Sequence, residues 1–410
     1  MNNYSTTLSK FRNQAFRLMS AQVICKIIPL FANLLVLKIY LPDVFGEFGV
    51  IVAWMALASS IANLSLENAI LHSNGKKEIK KISISCIAVS TILSIVQILC
   101  AIVAIVIYNI DLSYLLVGAY TFLKSIYNLQ TAVVIKFGHI QQITWSKFVE
   151  TISFNVLMIG FGMYDPNFWS LVSASFLSVI LGIWVLRRYL YLRLKNGISE
   201  IINCISINKH YPIYIASAAL IDTVAANLHI IILSWLYSSQ LIGELFWVQR
   251  ILNVPIYMLV SINQLSIKML TSEKQSIAQL YSKLIYFIRI LLLVALLGTS
   301  FILVVKIEDF NSLIPYGWNN LLSILQIVLP GFLFTYIFKL LMPIFLYEYK
   351  HKMVLLYDLS IGIASIIALF LVVMLEANFK SSLICLTALR VVCTLAFIYI
   401  ALRLLKSRVA

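Results

Sequence analysis

The sequence predicts an all-α polytopic membrane protein, with about twelve transmembrane helices arranged as two six-helix bundles around a central cavity. Three observations predict this fold class. Of the 410 residues, 61% are hydrophobic and only 11% are charged, whereas soluble domains usually carry about a quarter charged residues. Apolar windows of about 20 residues, long enough to cross a ~30 Å hydrocarbon layer, recur along the chain. Basic residues concentrate on alternate connections between these windows. A water-soluble enzyme with a single buried core is therefore excluded.

The apolar windows define the individual spans. The fifth and sixth windows are short, and Asp165-Pro166 between them is a turn signal. The predicted spans are 15–37, 48–72, 82–107, 112–135, 148–163, 168–186, 213–236, 244–267, 283–305, 320–346, 354–375 and 383–402.

The distribution of Lys and Arg tests this layout. Arg17 and Lys283 lie at the ends of their spans and are counted with the adjoining loops. On this count 22 of the 31 basic residues fall on one side of the membrane, 3 fall on the other (Lys38, Lys306 and Lys380), and 6 lie deeper within spans. Basic loops stay in the cytoplasm, so we predict that both termini are cytoplasmic and that the number of spans is even. The formal net charge of +15 is thus explained by topology, and we expect no nucleic-acid partner.

The longest predicted cytoplasmic connection, 187–212, lies near the middle of the chain. It divides the sequence into an N-terminal six-helix bundle (1–186), a linker (187–212) and a C-terminal six-helix bundle (213–410). Apolar residues at helical spacing predict an interfacial amphipathic helix in the linker: Ile198, Ile201, Ile202 and Ile205. The linker either joins two moving halves or serves as a basic topology anchor, and both interpretations remain open.

A short sequence match relates the two halves. Gly46-Glu47 follows the first predicted span, and Gly243-Glu244 follows the seventh, at an offset of 197 residues. Because each half enters the membrane from the cytoplasm, the match predicts two parallel repeats around a central cavity.

Charged residues inside the spans are the candidate functional residues, because a cation at mid-membrane costs about 2.5–3.5 kcal/mol on insertion scales. The acids most clearly inside are Glu67, for which we expect a structural salt bridge, and Asp222, which would neutralise a cation or bind a coupling proton or cation. Each cation either snorkels to the nearest interface or lines the cavity; depth favours cavity lining most for the first two of the set Lys26, Lys124, Arg250, Arg289, Lys339 and Arg390.

The excess of these cations over acids implies an anionic ligand. Guanidinium and ammonium groups suit phosphate oxygens, so the set predicts a cationic cavity for a phosphate-bearing substrate. The sequence contains no P-loop, HExxH or GxSxG motif. We therefore predict that the protein is not an enzyme, with no catalytic residue, metal site or cofactor.

Several stretches resemble a known family. The sequence is similar to the bacterial polysaccharide transporters of the multidrug/oligosaccharidyl-lipid/polysaccharide exporter (MOP) superfamily, specifically the O-antigen-type (Wzx-type) flippases. The matching stretches are 11–30 (FRNQAFRLMSAQVICKIIPL), 41–51 (LPDVFGEFGVI), 62–70 (ANLSLENAI), 209–217 (KHYPIYIAS), 243–270 and 313–345.

The resemblance implies a substrate and a location. The expected substrate is an undecaprenyl-pyrophosphate-linked oligosaccharide, the O-antigen repeat unit, moved from the cytoplasmic to the periplasmic leaflet of the bacterial inner membrane by alternating access. Membrane lipid and other proteins of O-antigen and lipopolysaccharide assembly are the implied partners. By position in their spans, Lys26, Lys124, Arg250 and Lys339 are the candidates for binding the pyrophosphate. Related lipid II flippases usually have fourteen spans, so a twelve-span layout argues against that substrate.

Two other functions compete with this one. A cation-coupled multidrug exporter would place acids in its pocket, which is the opposite of the bias seen here. A membrane polysaccharide polymerase or ligase usually carries a long external loop, and the longest predicted external loop here, 306–320, is short.

Overall fold

We describe the protein from a computed structural model. The residues it describes are 28–29, 31–73, 75–109, 111–189, 198–254, 315, 317–347 and 351–409. In this part of the chain every regular element is helical. A bilayer interior offers no water to bond peptide groups, and a helix satisfies them within one segment.

The helices follow one another closely. Turns of 3-10 helix precede α3 and follow α5, and the π-helical segment Tyr211–Ala216 leads directly into α7. The helices are α1 (Pro42–Ser60), α2 (Lys76–Tyr108), α3 (Leu115–Lys136), α4 (Ile140–Tyr164), α5 (Phe168–Val185), α6 (Ile198–Ile207), α7 (Ser217–Leu236), α8 (239–254), α9 (Leu321–Tyr347), α10 (His351–Met374) and α11 (Phe379–Val409).

The helices confirm the predicted polytopic all-α fold. Most predicted spans overlap one described helix each, while 283–305 lies outside the described residues. Seven described helices are long and apolar enough to cross a membrane; α3 and α4 are of similar length but more polar. On α2, Ile92, Leu99 and Val106 are 62%, 55% and 74% exposed. Such apolar faces suit contact with lipid tails.

The second predicted span, 48–72, is wrong in its extent. Helix α1 begins earlier, at Pro42, and ends at Ser60. Leu64 and Ser65 have φ values of 50° and 55°, in the left-handed region that cannot continue a right-handed helix. The chain then proceeds through a 3-10 turn and a short helix to His72. The apolar composition of 61–72 concealed this break.

The backbone forms two compact units. One comprises residues 47–231, and the other comprises the described residues of 1–46 and 232–410. The unit boundaries fall within α1 and α7, whereas the sequence analysis placed the division in the linker. The division into 1–186, 187–212 and 213–410 therefore stays a prediction.

The linker forms the predicted helix. Helix α6 packs against α2, where Cys204 and Ile205 contact a buried apolar cluster that includes Ile82 and Cys86. On its other side, Ile202 is 61% exposed. One side of α6 thus packs on the bundle, and the opposite side remains available to lipid or solvent, as in an interfacial amphipathic helix.

Segments predicted on one side of the membrane lie together within the 47–231 unit. Lys136 Nζ, at the end of α3, donates a hydrogen bond of 2.9 Å to the carbonyl of Leu71. The Tyr211 hydroxyl and His72 Nδ1 are 3.0 Å apart. The ends of three segments that the sequence analysis placed near the cytoplasmic side therefore lie together within this unit.

The predicted outer connections group in the same way in the other unit. The Tyr237 hydroxyl donates to the carbonyl of Ala377 at 2.5 Å, and Gln240 Nε2 donates to the carbonyl of Gly317 at 2.7 Å. These bonds join three connections that the sequence analysis placed on one side.

The repeated Gly-Glu pairs mark a close helix crossing. A Cβ atom on Gly46 would overlap the carbonyl oxygen of Ser239 and lie 2.9 Å from the backbone nitrogen of Gly243. A Cβ atom on Gly243 would overlap the carbonyl oxygen of Pro42 and lie 2.8 Å from the nitrogen of Gly46. The contacts are reciprocal at one sequence offset, so the two repeated segments pack against each other with local two-fold pseudo-symmetry.

Aromatic residues pack beside this crossing. The ring centroids of Phe45 and Trp318 are 6.1 Å apart, and those of Trp247 and Trp318 are 6.3 Å apart. The indole N–H of Trp247 donates to the carbonyl of Asn33 at 3.0 Å, and that of Trp318 donates to the carbonyl of Tyr40 at 3.2 Å. Each buried indole therefore has the partner it requires.

The crossing predicts the effect of adding one methyl group. Gly46→Ala and Gly243→Ala should each destabilise the protein by about 1–3 kcal/mol or more, because the new Cβ meets backbone that cannot move aside. Thermal unfolding of the purified protein in detergent measures the effect.

Gly160→Ala is the matched control. Gly160 lies in α4 with nothing within 4 Å of its added Cβ, so this change should be neutral or stabilise by up to ~1 kcal/mol. Equal melting temperatures for all three variants would contradict the close crossing.

Candidate functional site

The structure distributes the candidate charges between the two units. Lys124, Glu67 and Asp222 lie in the unit 47–231, and Arg250, Lys339 and Arg390 lie in the other. Lys26 and Arg289 lie outside the described residues.

Lys124 lies near the middle of α3 and forms an ion pair. Its Nζ atom is 2.8 Å from Oε1 of Glu150 on α4. The two side chains retain 26% and 20% of their accessible surface. The sequence analysis named no partner for Lys124, and in the structure the carboxylate of Glu150 offsets its charge.

Glu150 is the functional-site residue that the sequence analysis missed. The predicted fifth span began at 148, which placed Glu150 at the membrane surface. Helix α4 begins at Ile140 and so carries Glu150 well inside the helix. Because the apolar window begins only at 148, hydropathy alone gave no signal that Glu150 reaches the depth of Lys124.

Tyr127 supports the ammonium group. Lys124 Nζ is 4.7 Å from the centroid of the Tyr127 ring, within the distance of a cation–π interaction. The Tyr127 hydroxyl is 3.4 Å from Ser146 Oγ, which donates a hydrogen bond of 2.9 Å to the carbonyl of Gly182. Three helices, α3, α4 and α5, thus hold the aromatic ring on which the cation rests.

Gly182 leaves the space that the side chains of Tyr127 and Glu150 occupy. A Cβ atom on Gly182 would lie 3.0 Å from Cε2 of Tyr127 and 3.5 Å from Cβ of Glu150. A larger residue would displace the ring, the carboxylate or both. The site therefore depends on a glycine, which has no functional group by which the sequence analysis could have identified it.

The two predicted acids lie in different surroundings. Glu67 forms no ion pair with any described residue, and one of its carboxylate oxygens is buried without a hydrogen-bond partner. The expected salt bridge of Glu67 is thus not found in the described part of the chain. Asp222 is exposed on α7, where its charge stays accessible.

Nearby amides serve a structural purpose. Asn63 Nδ2 donates to the carbonyl of Ser125 at 3.1 Å, and Ser125 Oγ donates to Asn63 Oδ1 at 2.5 Å. This reciprocal pair joins the segment after α1 to α3, as interhelical hydrogen bonds do in membrane proteins.

In the other unit, two arginines lie over aromatic rings. The guanidinium carbon of Arg250 is 5.9 Å from the centroid of Phe45, and that of Arg390 is 5.4 Å from the centroid of Phe332. Arg390 forms no ion pair among the described residues. Lys339 is half-buried on α9. Aromatic faces stabilise such cations without neutralising their charge.

Glu244 is a further acid of this unit that the sequence analysis did not count. It is fully buried next to the Gly243 crossing. Its carboxylate lies beside the backbone and amide groups of Asn319 and Asn320, which precede α9. Both of its carboxylate oxygens are buried without a hydrogen-bond partner among the described residues.

The described side chains do not form a metal site. No group of three or more His, Cys, Asp or Glu residues in the described ranges is placed to hold a metal ion. Among the described residues, Lys124, Arg250 and Arg390 each lie against an aromatic ring, and Lys124 also forms an ion pair with Glu150.

Comparison with known proteins gives matches to solved structures. No family model matches the sequence, and no curated protein matches it. A multidrug resistance MATE family transporter of the MOP superfamily, in an inward-facing conformation, superposes with a TM-score of 0.69 at 11% identity, covering 93% of this chain and 95% of that one.

Two further structures extend this likeness. The lipid II flippase MurJ, in an inward closed conformation, has a TM-score of 0.68 at 12% identity, covering 94% of this chain and 87% of that one. A MOP superfamily transporter from Pyrococcus furiosus has a TM-score of 0.59 at 10% identity, covering 97% and 96%. The chain thus has the fold of the MOP superfamily transporters, which confirms the fold that the sequence resemblance implied.

The ion pair predicts a non-additive effect on stability. Lys124→Met should destabilise the protein by about 1–3 kcal/mol, since it leaves a carboxylate half-buried without its partner. Lys124→Met combined with Glu150→Gln should cost less than Lys124→Met alone, because no isolated charge remains. Thermal unfolding of the single and double variants measures this, and a double variant that is less stable than Lys124→Met would contradict it.

Proposed function

We propose that this protein is a flippase that moves an undecaprenyl-pyrophosphate-linked oligosaccharide from the cytoplasmic to the periplasmic leaflet by alternating access. The observation that carries the proposal is Lys124: an ammonium group in the middle of a predicted span that keeps 26% of its accessible surface. A cation retained at this depth favours a polar ligand pathway over lipid contact.

Phosphate chemistry fits the candidate cations. An ammonium group binds phosphate as a point charge, and a guanidinium group binds it through a bidentate fork. Arg250 and Arg390 lie over aromatic rings, and Arg390 forms no ion pair with a described residue. The proposal assigns the pyrophosphate to Lys26, Lys124, Arg250 and Lys339, with Arg289 and Arg390 as further cations of the pathway.

A multidrug exporter is the second candidate function, because a MATE family transporter has the same fold and Asp222 is an exposed acid on α7. Cationic drugs call for acidic pockets, and the six cations within the predicted spans outnumber the acids identified there, Glu67, Asp222, Glu150 and Glu244. For the Pyrococcus furiosus transporter, the reverse polarity of its binding pocket suggests a different function of that protein. The fold therefore does not dictate the charge of the ligand, and the charge balance here favours an anion.

Transport by inverted membrane vesicles tests the proposal. The vesicles carry the full-length protein and receive the lipid-linked oligosaccharide on their outer face. Lys26→Ala combined with Lys124→Ala should reduce translocation about tenfold or more, since each lost phosphate contact contributes of the order of ~1 kcal/mol.

Lys147→Gln is the control, because Lys147 is exposed on α4 and should leave translocation unchanged. Normal translocation by the double variant would show that these cations do not serve the substrate. Export of a cationic dye by the wild type, with no movement of the lipid-linked glycan, would instead establish the multidrug function.

A further inference from the structure

We infer that Glu150 is a built-in counter-ion of Lys124, which the substrate's phosphate displaces when it binds. The inference rests on the proposed function and adds a step to it: anion exchange at Lys124, with Glu150 setting which anions are able to bind.

The first support is the geometry of the pair. One carboxylate oxygen of Glu150 contacts Lys124 at 2.8 Å, whereas an ammonium group has three donors. Both side chains are about a quarter accessible. A second anion can therefore approach the ammonium group while the first is still in place.

The second argument is that the ring of Tyr127 holds the ammonium group of Lys124 independently of Glu150. The ring of Tyr127 lies 4.7 Å from Lys124 Nζ, and Tyr127 is itself only 4% exposed. Ser146 and Gly182 fix the ring from α4 and α5. The ammonium group would thus keep its position over the ring after the carboxylate leaves.

The third support is a physical requirement. An ammonium group at mid-membrane without a counter-charge is costly, so an empty transporter needs an internal anion beside Lys124. A diphosphate carries more negative charge than one carboxylate, so it can replace Glu150 at Lys124. A weakly binding monovalent anion cannot, and the exchange thereby selects phosphate-bearing ligands.

Binding of inorganic pyrophosphate to the purified full-length protein in lipid nanodiscs tests this inference by calorimetry. Glu150→Gln removes the competing charge at nearly constant volume and should tighten binding about fivefold. Lys124→Gln should weaken binding. Glu150→Gln added to Lys124→Gln should change nothing further, because the two residues act through one another.

Glu200→Gln separates this effect from a general change in net charge. Glu200 is exposed on α6, and its loss should not alter pyrophosphate binding. The inference is overturned if Glu150→Gln leaves binding unchanged or weakens it, if the tightening persists without Lys124, or if neither the wild type nor Glu150→Gln binds pyrophosphate.

The vesicle assay distinguishes failure of this inference from failure of the proposed function. Lys124-dependent tightening by Glu150→Gln, without translocation of the lipid-linked glycan by the wild type, would refute that substrate and retain the counter-ion role. Normal translocation with unchanged pyrophosphate affinity in Glu150→Gln would refute the counter-ion role alone.

Discussion

The hydrocarbon core of a bilayer solvates neither a peptide group nor a charge. The protein must therefore provide partners for both kinds of group itself. Peptide groups are satisfied by helices, which form all the regular structure in the described ranges. Charges need a local solution for each residue, because transfer to hydrocarbon costs several kcal/mol. The charged side chains that remain accessible are the candidate functional residues.

Two different solutions occur. Lys124 is neutralised by a carboxylate and supported by the ring of Tyr127. Arg250 and Arg390 lie over phenylalanine rings, which attract a cation through the ring quadrupole and leave its charge intact. The first arrangement places an opposite charge beside the cation, whereas an aromatic ring stabilises a cation without carrying an opposite charge.

Close packing replaces the hydrophobic effect where helices meet in lipid. At the Gly46 and Gly243 crossing, each glycine lets the other helix's backbone approach where a side chain would not fit. The aromatic rings of Phe45, Trp247 and Trp318 then fill the space beside it. Three of the stretches that carry the family resemblance meet at this point. Their similarity is therefore explained at least as well by the demands of packing as by the demands of substrate binding.

The class of protein and most helix positions could be predicted from the sequence, because crossing a membrane requires long apolar windows and basic loops recur on alternate connections. It also indicated the amphipathic helix of the linker, whose apolar residues recur at helical spacing. These properties depend on residues close together along the chain.

Which charge has a partner, and where a helix breaks, depends on the folded chain. The break after Ser60 arises from left-handed backbone at Leu64 and Ser65, which apolar composition does not reveal. Glu150 neutralises Lys124 because α4 begins earlier than its apolar window and packs beside α3 and α5. The match of Gly46 with Gly243 showed a repeat, but that the repeats touch each other follows from the folded chain. The physical reason is the same in each case: hydropathy is a sum along one segment, whereas neutralisation and steric fit are relations between segments distant in sequence.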